Sequence, residues 1–308
     1  MTASYAKNYA GRWIKNLWSV LTIRALFEAF GGLWTLTEIA NYFLSQANDE
    51  SKTHYSWPWF LLVGFLYAAW RRRPQTRIAH KLNGQDITIE LVVTDIFDLS
   101  GSLIVGSNTT FDTKVSPQLI SKTSVQGQFT EKYYSDSTQL DVELDAALRE
   151  LQYETIPDSR TGKRKRYPLG TCVRLNPRDR VAYFIAIAEI NQHGVASSHF
   201  EDLQNSLPKL WDFIATRGLK EDLLMPVLGT GFSRLPVPRE TVIREVILSF
   251  LAACSERTFC DKLTIAIAPQ DLAKNKLPLE DLGDFVRHHC RYRNPVPPIA
   301  GHVGSPAT

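Results

Sequence analysis

Apolar positions along this chain follow three patterns, and their order predicts the architecture. Up to residue 71 they form two long runs. The first, residues 25–44, is broken only by Glu28 and Glu38; the second, residues 57–70, carries no charge and stops at Arg71, Arg72 and Arg73. From residue 87 the pattern changes to short, β-branched runs at 87–94, 102–105, 170–175, 181–190, 223–228 and 262–268. These read as strands. Between and after them come stretches with helical periodicity at 139–151, 197–218, 242–253 and 279–289. Leu140, Leu144, Leu148 and Leu151 share one face of the first of these, and Pro208 is expected to kink or divide the second. Strands alternating with helices predict an α/β sheet with helices on both faces. From residue 294, Pro, Gly and Ser predict a loose tail.

The two early runs predict a membrane hairpin over residues 1–80, with spans at about 22–44 and 55–71. Trp57, Trp59 and Trp70 suit interfacial belts, and the arginines at the end can snorkel. Arg24 and Glu28 stand at i and i+4 and can pair, while Gly31-Gly32 would let helices approach closely. Lys7, Arg12, Lys15 and the Arg71–Arg73 cluster put both ends on the cytoplasmic side of the inner membrane. The hydrophobic stretch is not confined to the start and no small-residue cleavage site follows it, which argues against a secretory signal. The alternative is a helical hairpin with one greasy face outside any membrane.

Composition narrows the classes. With 308 residues, 44% hydrophobic and 22% charged, the chain has enough apolar surface for one or two cores. A net charge of +3 does not suggest nucleic acid. Six of the seven tryptophans precede residue 71, pointing to different solvents for the two parts. Cys172, Cys254, Cys260 and Cys290 are far apart and fit reduced thiols rather than a zinc site or disulfide framework. His193, His199, His288 and His289 have no metal-ligand spacing, so neither metal nor cofactor is expected.

Candidate chemistry lies in the loops that follow strands, since ligands of α/β sheets bind at strand carboxyl ends. Asp95-Ile96 follows the first strand; a polar loop, 106–113, with Asn108, follows the second. Ser124-Val125-Gln126-Gly127 reads as a small-residue turn. Gly229-Thr230-Gly231-Phe232-Ser233-Arg234 lies between a strand and a helix, where backbone N–H groups and a helix N-terminus can hold a phosphate. The basic run Arg160, Lys163, Arg164, Lys165, Arg166 reads as a solvated hairpin tip, or as a contact for anionic headgroups.

Four segments, in order, resemble a macro domain over residues 87–287: Val93-Thr94-Asp95-Ile96-Phe97, Val105-Gly106-Ser107-Asn108-Thr109, Ser124-Val125-Gln126-Gly127-Gln128-Phe129 and Pro226-Val227-Leu228-Gly229-Thr230-Gly231-Phe232. The resemblance implies a macro-domain-like mixed sheet over 81–293 that binds an ADP-ribose-type nucleotide. Asp95 would accept from the adenine amino group, and Val125, Gln126, Gly127 and Gly229–Phe232 would cradle the diphosphate. Phe232 would pack on a ribose, Asn108 would reach the distal ribose, and Arg234 a phosphate or carboxylate. Fusion to an N-terminal hairpin resembles the transmembrane macro-domain effectors of type II Thoeris anti-phage defence systems. Those are implied to sense a signal such as a histidine–ADP-ribose conjugate from a TIR-domain partner, then to oligomerise and damage the membrane in an abortive infection. The segment that carries the hydrolytic Asn of the family reads Gly-Ser-Asn-Thr, and the first diphosphate loop has one glycine, Gly127. Both departures favour a binding protein over an enzyme. The alternative is a membrane-tethered ADP-ribosyl or O-acyl-ADP-ribose hydrolase.

Overall fold

The computed structural model describes residues 13–14, 20–44, 57–71, 73, 75–116, 119–157, 162–190, 196–229, 235–275 and 277–292. The chain divides into two compact units, residues 1–75 and 76–308.

In the first unit, helices α1 (Val20–Leu44) and α2 (Trp57–Arg71) pack together. Ala25, Gly64 and Ala68 are buried. A Cβ on Gly64 would lie 3.5 Å from the Phe30 ring, so this glycine lets the two backbones approach. Gly31 and Gly32, expected in that role, face open space, with nothing within 4 Å of an added Cβ. Arg24 Nε donates to Glu28 at 3.2 Å, and Arg71 of α2 donates to the other oxygen of the same carboxylate. Arg71 also donates to the Tyr67 hydroxyl at 3.0 Å. Many large apolar side chains point outward: Phe27 is 73% and Trp34 72% exposed, and Trp59, Phe65, Leu66 and Trp70 are exposed too.

Both expected spans coincide with these helices, yet among the described residues no helix is long and apolar enough to cross a membrane. The two requirements are split. Helix α1 has the length, 25 residues, but carries Arg24, Glu28 and Glu38. Helix α2 is apolar, but its 15 residues rise only roughly 22 Å against a hydrocarbon core of about 30 Å.

The second unit is built on β1 (Arg77–Lys81), β2 (Thr88–Val93), β3 (Ser102–Asn108), a small hairpin β4 (Glu154–Thr155) and β5 (Lys165–Arg166), β6 (Cys172–Leu175), β7 (Ala182–Ile190), β8 (Ala196–Ser197), β9 (Leu223–Pro226) and β10 (Lys262–Ile267). An eight-stranded sheet runs β1-β2-β10-β9-β3-β7-β6, with β8 paired to β7. The five central strands, β2 to β7, are parallel, and β1 and β6 flank them antiparallel. Strand β10, last in sequence, therefore lies between β2 and β9. Central strands such as β7 and β9 read as apolar runs because both their faces are covered.

Helices α3 (Val125–Tyr133) and α4 (Ser137–Ala147) cover one face, where Phe129, Leu140 and Leu144 meet Leu103, Val105 and Phe184. Helices α5 (Phe200–Arg217), α6 (Arg239–Glu256) and α8 (Leu279–Tyr292) form a second layer; Tyr183 of β7 meets Phe213 of α5, and Ile78 of β1 meets Gly283 of α8. A short helix, α7 (Pro269–Asn275), follows β10. Helix α5 buries Leu203, Leu207, Leu210, Trp211 and Ile214, a stripe at helical spacing. Pro208 does not divide it: the residue is exposed, so water can take the carbonyl that its ring leaves unpaired. All four cysteines are free and buried, and burial pushes the Cys172 thiol up to about 12, so it stays protonated at neutral pH.

Two further expectations are corrected. Residues 124–127 are not a turn but the cap and first turn of α3. The expected polar loop at 106–113 begins as strand, since β3 continues to Asn108. Each polar residue from Ser107 to Thr113 is buried, a tertiary effect that a period-based reading assigns to a loop.

Candidate functional site

Strands β2, β10, β9 and β3 run parallel, so the residues that follow them gather along one sheet edge. Asp95, the loop 109–113 and Gly229 are three of these. The same topology sends α3 back across the sheet face beside them.

Asp95 is exposed and caps a short 3-10 turn, Ile96–Asp98, its Oδ1 accepting from the Phe97 N–H at 3.0 Å. Ile96 is buried in the core under it. The turn is braced from α3: Lys132 Nζ donates to the Phe97 carbonyl at 3.1 Å and lies 5.2 Å from the Phe97 ring centre. Arg180 completes the brace by donating to the Leu99 carbonyl at 3.0 Å and to the Tyr133 hydroxyl at 2.8 Å. An exposed carboxylate with fixed backbone offers an acceptor, which suits an amino or hydroxyl donor on a ligand.

Asn108 is fully engaged within its own loop. Its Oδ1 accepts from the Thr110 N–H, the Thr110 hydroxyl and the Asp112 N–H at 3.0–3.1 Å, and its Nδ2 donates to Asp112 Oδ2 at 3.1 Å. A buried amide with these partners shapes the loop instead of reaching outward. Within that loop Phe111 is completely buried with φ 49°, a left-handed backbone that a bulky residue adopts only under strain. Its ring is held edge-on by Tyr167, 5.8 Å between centroids. The Tyr167 phenol is held above its ordinary pKa by burial, then by Asp145 and Tyr153, and stays neutral.

The residue that composition and spacing did not reveal is Asp112. Its side chain is 1% exposed, and it joins three segments. Oδ2 accepts from Asn108 and, at 2.7 Å, from the Thr110 hydroxyl; Oδ1 accepts from the Lys163 N–H at 2.7 Å; its carbonyl accepts from Gln126 Nε2 at 2.6 Å. Lys163 Nζ then pairs with Asp141 at 2.7 Å and Asp145 at 3.0 Å. Lys163, expected on a solvated hairpin tip, is therefore a structural residue. The available signal was the density of polar residues from Ser107 to Thr113 beside an apolar strand.

Helix α3 starts at Val125, which packs against the core, and Gln126 is buried. Ser124 caps it, its Oγ accepting from the Gly127 N–H at 3.0 Å and donating to the Ser121 carbonyl at 2.6 Å. Gly127 is required by close approach: a Cβ would stand 2.2 Å from that same Ser121 carbonyl oxygen. The helix presents its N-terminus, with partial positive charge, next to the Asp112 loop.

Gly229 has φ 72°, and an added Cβ would meet Leu235 Cδ1 at 2.3 Å and Cγ at 2.6 Å. The Leu235 N–H donates to the Gly229 carbonyl at 3.3 Å, closing the loop at its base. Thr230, Gly231, Phe232, Ser233 and Arg234 lie outside the described residues. Gly229→Ala should cost about 1–2 kcal/mol from the left-handed backbone alone, with a further loss from displacing Leu235. Thermal melting of the substituted chain checks it, and an unchanged melting temperature would show that the loop base is plastic. Beyond the loop, Arg239 at the start of α6 pairs with Asp271 on α7, tying the segments after β9 and β10 together. Among the described residues no three His, Cys, Asp or Glu side chains gather as a metal site.

The family model for the macro domain of Thoeris protein ThsA matches residues 89–268. Thoeris protein ThsA of Bacillus amyloliquefaciens (strain Y2) is 25% identical over 162 residues, 51% of this chain and 52% of the relative. The chain thus spans about half the length of that curated relative. Among solved structures, an Oceanobacillus iheyensis macrodomain with ADP is 14% identical, with 68% of this chain and 99% of that one covered at a TM-score of 0.45. A Trypanosoma brucei macrodomain in complex with ADP-ribose is 13% identical, with 68% and 73% covered at a TM-score of 0.42. The family model spans more than half of the sequence and runs from inside β2 to the end of β10, across the whole parallel core; the chain belongs to the Thoeris ThsA macro-domain family.

Proposed function

We propose that this protein is an anti-phage effector whose macro domain, residues 81–293, senses an ADP-ribose-type signal made by a TIR-domain partner enzyme. A histidine–ADP-ribose conjugate is the favoured signal. Binding then drives self-association of chains whose N-terminal hairpin, residues 1–80, sits in the inner membrane, with the macro domain in the cytoplasm and residues 294–308 as a tail. The assembled hairpins disrupt the membrane. No metal, cofactor or nucleic acid enters this scheme.

The observation that carries the reading is the convergence of Asp95, the N-terminus of α3 and the Gly229 loop base at one edge of the parallel sheet. An acceptor at one end and backbone N–H groups at the other fit an adenine joined to a diphosphate. Family membership supports the defence setting. The exposed apolar side chains of α1 and α2 support lipid or a second copy as their partner. Because α2 is short for a bilayer on its own, clustering and local thinning are part of the scheme. A signal can favour the assembled state only by binding it more tightly than the separate chains. Glu28, with Arg24 and Arg71, would then face the inside of the cluster, away from lipid.

The engagement of the Asn108 amide in its own loop supports binding over hydrolysis. Titrating the full chain in detergent with ADP-ribose and histidine–ADP-ribose by calorimetry should give saturable binding and no product. Gly231→Trp should abolish it. Absence of binding to any ADP-ribose derivative would sink the sensor, and turnover of an ADP-ribosylated substrate would make the protein a hydrolase.

A further inference from the structure

The sheet edge opposite the candidate site holds an open surface groove of about 700 Å³, lined by the turn between β1 and β2 and by the last turns of α8. It lies at the start of β2, whereas Asp95 follows its end. Six residues of strand separate the two, roughly 20 Å. His80, Lys81, Asn83, Gln85, Arg287 and Arg291 line it, and Asp86 is the one carboxylate in the lining. We propose that this groove is a second ligand site, taking a phosphate-bearing anion between the Arg287–Arg291 pair and the Lys81 turn.

The backbone of the groove is fixed by hydrogen bonds, while its charged side chains reach into solvent. The Leu82 N–H donates to the Ile87 carbonyl at 2.8 Å and the Asn83 N–H to the Cys290 carbonyl at 2.9 Å. Gln85 Nε2 donates to the Cys254 carbonyl at 3.0 Å, anchoring the turn to α6. Carbonyls at a helix C-terminus ordinarily repel an anion. Here Asn83 takes up two of them: its N–H donates to the Cys290 carbonyl, and its Nδ2 donates to the Arg291 carbonyl at 3.4 Å. The two arginines stand one helical turn apart, and guanidinium forks match phosphate oxygens.

Existing partners of these cations are weak competitors. Arg287 pairs with Asp284 at 2.8 Å with both side chains at least 60% exposed, and Lys81 pairs with Asp86, itself 95% exposed. Exposed pairs of this kind contribute little and yield to a dianion. The volume suits a single small ligand. The phosphate can come from a free molecule or from a phospholipid headgroup.

His80 gives a local readout. Burial, then the neighbouring Arg287, holds its imidazole below the ordinary histidine pKa, with Asp284 opposing. A dianion seated beside Arg287 should raise that pKa. The experiment is a pyrophosphate titration of the full chain in neutral detergent with ¹³C-labelled histidine, the His80 signal assigned through His80→Gln. A parallel arm replaces pyrophosphate with phosphatidylglycerol in phosphatidylcholine nanodiscs. A saturable His80 shift with a raised pKa is expected in at least one arm; a shift with pyrophosphate identifies a free phosphate, and one with lipid alone identifies a headgroup. Arg287→Gln with Arg291→Gln should weaken it by at least about tenfold, the scale of a lost charge-assisted hydrogen bond. A His80 signal that moves in neither arm, or that shifts equally in the double variant, overturns the proposal.

Discussion

Gly127→Ala should destabilise the macro domain and, on the proposed function, remove nucleotide binding with it. The new Cβ would fall 2.2 Å from the Ser121 carbonyl, which is backbone and cannot rotate away. That same oxygen accepts from the Ser124 hydroxyl and from the Ser124 N–H, so moving it undoes the cap of α3. Overpacking costs about 1–3 kcal/mol and a lost cap about 1 kcal/mol, so a total of roughly 2–4 kcal/mol is expected. Helix α3 must shift away from Ser121, and its N-terminal N–H groups move with it. Differential scanning calorimetry with and without ADP-ribose checks both parts. A variant that melts like the parent and binds like it would show that the segment before α3 is loose. One that melts early yet binds with full affinity would take the N-terminus of α3 out of the site.

Asp112→Ala should be comparably severe by a different route. It takes from the Lys163 N–H and the Asn108 amide the carboxylate they share, and leaves the Thr110 hydroxyl with Asn108 Oδ1 as its acceptor. Each buried donor so stranded costs about 1–3 kcal/mol, and because these groups act as a unit their losses do not simply add. A total near 3–4 kcal/mol is expected, a fall in melting temperature on the order of 10 °C. Asp112→Asn keeps one acceptor oxygen and should lose less than half as much. Equal losses for Ala and Asn would mean that charge, and not hydrogen bonding, is what the loop needs. Neither substitution touches Asp95, so any change in ligand affinity would report the loop's influence on the crevice.

The elements legible in the sequence were those whose burial leaves a simple trace. Strands β7, β9 and β10 show as apolar runs because both their faces are covered, and α5 shows its stripe of Leu203, Leu207, Leu210 and Ile214. Asp95 and Gly229 were legible as loop positions because each follows a strand, β2 and β9. What stayed hidden depends on partners distant in sequence. Ser107 to Thr113 look like a loop until Lys163, some fifty residues on, and Gln126 supply the hydrogen bonds that let them be buried. Helix α3 lacks a long apolar stripe, and its cap was read as a turn because a capping serine and a glycine occur in both. In the hairpin the doublet Gly31-Gly32 drew attention, yet the contact uses Gly64, because facing between helices depends on register and not on how small a residue is.

The placement of β10 between β2 and β9 has a consequence for biogenesis. While the ribosome is still making residues before 262, the strands that will flank β10 have no neighbour on that side, and the crevice edge lacks its middle. Closing the sheet requires a late segment to insert beside β9 and against β2, which was translated long before, a non-local step that comes slowly. A nascent or prematurely terminated chain would expose its α1 and α2 helices without a finished macro domain behind them. On the proposed function, the order of translation thus keeps an incomplete copy from answering a signal.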